Sequence, residues 1–152
     1  METNYKDEYE EKLLAGEEYE DFIAEKLWGY GIPIIGFKSR KFQIDRGENL
    51  LGLEIKFDRK MNETGNIYIE THEKSHPDNP DYTDSGIYRN DNSWLYGIGN
   101  YDKFFIFSKK YLQRIIENST NNGCYEKKTP TSRGVVILIE KARIWADLSF
   151  EF

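Results

Sequence analysis

The chain has 152 residues with 21 Lys+Arg against 27 Asp+Glu, a formal net charge of −6. That length suits one domain spanning 1–152, and 38% hydrophobic with 15% aromatic residues excludes a disordered tail, while no apolar run approaches the roughly 18 residues of a membrane span. Cys124 is the only cysteine, which excludes a disulfide framework and a Cys-based zinc site, and the polar, acidic N-terminus is the opposite of a signal peptide.

The negative charge argues against a nucleic-acid partner only until it is placed. Residues 1–30 hold ten acids and three bases, whereas 31–60 hold seven bases and four acids. The acidity therefore belongs to one segment, and the middle of the chain is locally basic.

In chain order, Tyr19, Phe22, Ile23, Leu27 and Tyr30 recur at helical spacing, with Lys26 adding its stem, and Gly29, Gly31 and Pro33 end the helix. Short β-branched and aromatic runs follow at Ile32–Phe37, Lys41–Asp45, Leu50–Phe57 and Asn66–Glu70 and read as strands. Residues 75–92 read as a long polar loop, Trp94–Ile98 and Phe104–Ser108 as strands, and Lys110–Asn118 as a second helix. Residues 118–133 read as another polar loop, and Val135–Glu140 as a final strand. The whole predicts a mixed α/β domain.

His72-Glu73-Lys74-Ser75-His76 satisfies the H-E-x-x-H zinc pattern. Its chemistry needs a helix to bring both imidazoles to one face. The preceding Ile67–Glu70 alternates like a strand and Pro77 disfavours an α conformation at His76, so two loop histidines are expected.

The chemistry is carried by Glu54-Ile55-Lys56. Acid-x-Lys occurs four times in the chain, but only this copy lies within an apolar strand pattern, Leu50–Phe57. On a strand Glu54 and Lys56 share one face about 7 Å apart, while Leu53, Ile55 and Phe57 point into a core. Such a pair is costly unless it is partnered or binds something. Glu48 lies six residues upstream. Two carboxylates suit Mg²⁺, a hard cation of oxygen ligands, with Mn²⁺ as a substitute. Glu48 reaches Glu54 only if the chain bends, and Gly47 and Gly52 would permit it. Asp45 competes with Glu48 for the ligand role.

The segment Gly47-Glu48-Asn49-Leu50-Leu51-Gly52-Leu53-Glu54-Ile55-Lys56 resembles the signature of the PD-(D/E)xK nuclease superfamily, although Glu48 stands where aspartate is usual and no Pro-Asp pair is present. Gly16 and Glu20, with Leu27 and Gly31, are similar to the opening helix of archaeal Holliday-junction resolvases and their relatives. The match spans roughly residues 16–74. It implies a restriction-endonuclease-like fold, with a central mixed β-sheet flanked by helices, and a Mg²⁺-dependent DNA endonuclease of restriction, homing, junction-resolving or phage type. Glu48 and Glu54 would hold metal, Lys56 would serve the attacking water and the transition state, and Glu20 would face the site. Glu18 and Glu25 remain alternatives to Glu20, and Glu70 is a weak auxiliary candidate.

Lys38, Arg40, Lys41, Arg59 and Lys60 flank this element and suit phosphate contacts. A homodimer matching the two-fold symmetry of duplex DNA and a cytoplasmic location in a bacterial or phage-infected cell complete the expectation. A catalytically silent nucleic-acid-binding module on the same fold is the alternative. A protein that binds no nucleic acid, with Glu54 and Lys56 as a structural pair, is another.

Overall fold

The computed structural model describes residues 5–36 and 39–152 and opens on the expected helix. In α1 (Tyr5–Gly29) the side chains of Tyr19, Ile23 and Leu27 lie four residues apart on one stripe and are fully buried. Each such burial stabilises the fold by about 1.5–3 kcal/mol. Residues 6–14 are exposed, so the helix is anchored through its C-terminal half and its N-terminal half projects. Its end is capped as the Gly29–Pro33 pattern predicts, with Gly31 at φ 79° and the Ile32 N–H donating to the Leu27 carbonyl.

Two four-stranded sheets follow, where the sequence suggested one central sheet. The first is mixed and comprises β1 (Leu53–Phe57), β4 (Leu95–Gly99), β5 (Lys103–Ser108) and β8 (Leu148–Glu151) in that spatial order. Within it β1 runs parallel to β4 and the other pairs are antiparallel. The second sheet has the order β3 (Thr83–Asp84), β2 (Asn66–Glu73), β7 (Ser132–Leu138), β6 (Tyr125–Lys128), antiparallel throughout. The strand β5 sorts its apolar residues onto two cores. Phe104 and Ile106 pack with α1, Leu53 and Ile55, whereas Phe105 and Phe107 pack with Ile67, Ile69, Tyr96 and Ile137. Glu54 is in register with Tyr96 and Lys56 with Ile98, so the polar pair of β1 lies on the face turned towards the second core.

Several expected strands differ. Lys41–Asp45 belongs to a helix, α2 (Arg40–Arg46), and Phe42 and Ile44 are exposed. Ser39 precedes it at the N-cap position and Gly47 ends it at φ 90°, boundary signals that outweigh two alternating apolar residues. Of the run Ile32–Phe37, Gly36 forms a single bridge with Asn49, and Phe37 lies outside the described residues. Leu50–Leu51 form a turn before β1 starts at Leu53. A four-residue helix, α3 (Met61–Thr64), links β1 to β2.

The loop expected at 75–92 contains β3 and a 3-10 turn, Gly86–Tyr88, and the loop expected at 118–133 contains β6. The second helix is α4 (Lys109–Glu117), as its spacing predicts. The run Val135–Glu140 leaves strand geometry after Leu138 and continues as α5 (Ile139–Trp145), which lays Ile139, Ala142 and Trp145 on the second core. No described helix is long and apolar enough to cross a membrane.

Candidate active site

Strand β1 sets the centre. Glu54 is wholly buried, with Lys56 Nζ 2.8 Å from its Oε1 and Lys109 Nζ, at the start of α4, 3.8 Å from its Oε2. Two ammonium groups therefore face one carboxylate. Lys56 engages Oε1 closely, whereas Oε2 has only the longer contact to Lys109. The charge is compensated while Oε2 has no hydrogen bond from the described residues, an expensive state for a group without water contact.

Glu48 comes to this centre through the turn before β1. Buried Asn49 acts as an extra rung on the strand: its Nδ2 donates to the Leu53 carbonyl at 2.8 Å, and its Oδ1 accepts from the Leu53 N–H at 3.1 Å. The reversal runs through Gly52 at φ 66°, where a Cβ would stand 2.4 Å from Trp94 Cδ1. Gly47 and Gly52 thus supply the bend that the six-residue spacing demands. Asn49→Ala is expected to remove both bonds and cost about 1–3 kcal/mol, measured as a lower unfolding midpoint.

The four residues singled out from the sequence share one electrostatic neighbourhood. Burial pushes the Glu48 carboxyl up, Lys56 opposes this, and Glu54 and Asp91 reinforce it. Burial alone would push the Lys56 ammonium down, but the charge and hydrogen-bonding capacity of Glu54 hold it above its usual range. Glu20, from α1, is pushed up to about 7, first by the surrounding protein and then by Glu48, with Lys56 acting against. The Glu20 side chain is nevertheless exposed, so water screens part of that effect.

A carboxyl with a higher pKa in the folded chain contributes stability that is complete below its unfolded value near 4.5 and lost as pH rises through about 7. Metal-free protein is therefore expected to melt at lower temperature across that window as pH rises, and Glu20→Gln to flatten the decline. Asp91 has the opposite sign. Burial pushes its carboxyl up, but bonds from Lys109 and the Ser93 N–H win and hold it below its ordinary value. Its contribution is lost as pH falls through that lowered value.

Asp45 is exposed on α2, not on a strand beside Glu48, and Glu18 and Glu25 are exposed on α1. Glu70 is not an exposed strand residue. Its Oε1 accepts from Ser85 Oγ at 2.6 Å and its Oε2 from Ser132 Oγ at 2.8 Å, a hydroxyl network that ties β2 to the 3-10 turn and to β7. His72 lies on β2, 3.3 Å from Asp84, and His76 follows in a loop, so no helix pairs them for zinc. Of the expected phosphate contacts, Lys38 and the side chain of Arg40 lie outside the described residues, and Lys41 is exposed on α2. Arg59 and Lys60 line a cleft of about 670 Å³ that also reaches Lys56 and Glu20.

Lys109 and Asp91 are the two residues of this centre that sequence reading does not single out. Lys109 is almost fully buried, donating to Asp91 Oδ1 at 2.9 Å and to the Arg89 carbonyl at 3.0 Å. Asp91 and Arg89 come from a loop with no periodicity. Only Ser108, capping α4 beside a lysine, hinted at an ordered position.

Among the described residues no three His, Cys, Asp or Glu side chains form a ready-made metal cluster. Mg²⁺ commonly takes one or two carboxylates and completes its shell with water and substrate phosphate. The Oε2 of Glu54, with Glu48 close enough to repel that carboxylate, fits that sparse donor set. The chain matches no protein-family model, no curated protein and no solved structure.

Proposed function

We propose that this chain is a Mg²⁺-dependent DNA endonuclease, with Mn²⁺ able to substitute, built on a variant of the restriction-endonuclease-like fold. One observation carries the reading: Glu20, Glu48, Glu54 and Lys56 come from a helix, a turn and a strand, yet they meet around a buried carboxylate with one oxygen left without a hydrogen bond. The opening helix packed on the strand that bears Glu-x-Lys supports the fold assignment.

In this proposal Glu54 and Glu48 hold the metal, which would act as a Lewis acid on the scissile phosphate and lower the pKa of a bound water. Lys56, a third exposed beside the cleft, orients the attacking water and stabilises charge on the phosphoryl oxygens. Glu20 holds a proton or a water at the rim. Lys109 keeps Glu54 and Asp91 apart from each other's charge. A homodimer would present two such sites to a duplex.

Supercoiled plasmid with Mg²⁺ or Mn²⁺ tests the reading. Nicking that requires metal and falls at least about a hundredfold in Glu54→Ala and Lys56→Ala is expected, and nicking at the wild-type rate by either variant overturns the site. A second reading, a binding module without catalysis, has its own support: Lys56 and Lys109 already neutralise Glu54, as in a structural ion network. DNA binding without cleavage of supercoiled, linear or branched DNA would favour it.

A further inference from the structure

The cleft that adjoins Lys56 has a construction the cleavage chemistry does not require. It lies between the N-terminal half of α1, the end of β1 with its following turn, and the face of the second sheet. Strand register aligns its wall. Tyr68 on β2 pairs with Val136 on β7, and Val136 pairs with Tyr125 on β6, so two phenol rings flank an apolar position in one row about 10 Å across. All three residues line the cleft.

Tyr68 is fixed by a 2.7 Å bond between its hydroxyl and Ser132 Oγ, and the Lys127 ammonium sits 6.0 Å from its ring centre. Asn66, also at the wall, has a buried Oδ1 without a hydrogen-bond partner among the described residues. The lining charge is opposite to that of the chain. Lys12, Lys56, Arg59, Lys60 and Lys127 face Glu17, Glu20 and Asp58. Asp58 is already engaged by the Lys60 and Tyr68 N–H groups. On α1, Gly16 passes the cleft with open space where its side chain would be.

Aromatic side chains in a row, an apolar position between them and cations along the rim are the components of a platform for bases and their phosphates. A volume of about 670 Å³ is that of a small-molecule pocket, room for one or two nucleotides. We propose that the cleft takes an unpaired DNA strand leading to the site, so that the substrate is DNA with unpaired nucleotides beside the cleaved phosphate. The ligand's identity rests on the nuclease reading above.

Fluorescence anisotropy with labelled oligo(dT), and with a blunt duplex of similar length, tests this without metal. The wild type is expected to bind the single strand at least about tenfold more tightly, the scale of one stacked base. Tyr125→Ala combined with Lys127→Ala alters only exposed side chains of β6 and is expected to lose about that factor for the single strand while leaving the duplex unaffected. Gly16→Leu, which builds into open space and favours the helix, is expected to plug the cleft with the same loss and no fall in melting temperature. Equal affinity for both DNAs, or wild-type binding by these variants, overturns the inference. Plasmid nicking measured on the same preparations separates the two proposals. Metal-dependent nicking without single-strand preference removes this one alone. Single-strand binding that depends on Tyr125 and Gly16, without cleavage of any DNA, supports the cleft assignment and removes the nuclease.

Discussion

Lys56→Ala is expected to slow metal-dependent nicking by about 10²–10³-fold, the scale on which loss of one oriented donor at a transition state is felt, while the protein stays folded. Stranding a buried carboxylate ordinarily costs about 3–5 kcal/mol. Two features lower the cost here. Lys109 remains 3.8 Å from Glu54, and the Lys56 side chain is 34% exposed, so water can enter where it stood. A melting point lowered by several degrees is therefore expected, not loss of the fold. Lys56→Arg retains the charge and serves as the sharper control. The guanidinium fork cannot reproduce a compact ammonium on the same stem length, so stability is expected to recover while most of the rate does not. Nicking by Lys56→Ala at the wild-type rate would leave the pair as a structural salt bridge.

The parts of this site that were legible in the sequence are those set by local periodicity. The alternation of Leu53, Glu54, Ile55, Lys56 and Phe57 assigned faces correctly because a strand repeats every two residues and the apolar three share the core with α1. The need for a bend between Glu48 and Glu54 followed from chain length, and Gly47 and Gly52 carry positive φ where that bend occurs. Asn49 was not legible, because an amide that serves as a strand partner has no pattern of its own. Lys109 reaches Glu54 from far along the chain and is itself paired with Asp91, and only tertiary packing joins them.

The fold divides along the same line. Lys41–Asp45 looked like a strand because Phe42 and Ile44 alternate, but both are exposed and pack on neither core. Tyr125–Lys128 is an edge strand exposed along its length, so it lacks any apolar alternation. Ile139–Trp145 follows a strongly β-like run without a turn residue, and its helical face consists of few positions, with Ala142 as the buried one. The partition into two sheets depends on β1 pairing with β4 rather than with its sequence neighbour, a non-local choice that no window of residues encodes.

Thermal melting with and without Mg²⁺ offers a test of the metal site that does not depend on finding a substrate. A cation that binds only the folded chain stabilises it by about 2.7 kcal/mol at a hundred times its dissociation constant, a rise of roughly 5–10 °C for a chain of this size. That rise is expected for the wild type and is expected to vanish in Glu54→Gln and Glu48→Gln. The baseline distinguishes a ligand from a structural acid. Glu48 is pushed up by burial and by the charges of Glu54 and Asp91, with Lys56 only partly compensating, so its ionised form is a burden on the metal-free fold. At mildly alkaline pH, Glu48→Gln is therefore expected to be more stable than the wild type in EDTA and less stable than it in saturating Mg²⁺. A carboxylate that serves structure alone would lose stability on the same substitution in both buffers, and that outcome would remove Glu48 from the metal site. The crossing of the two stabilities arises only if the repulsion among these acids is kept in the fold for a cation to relieve.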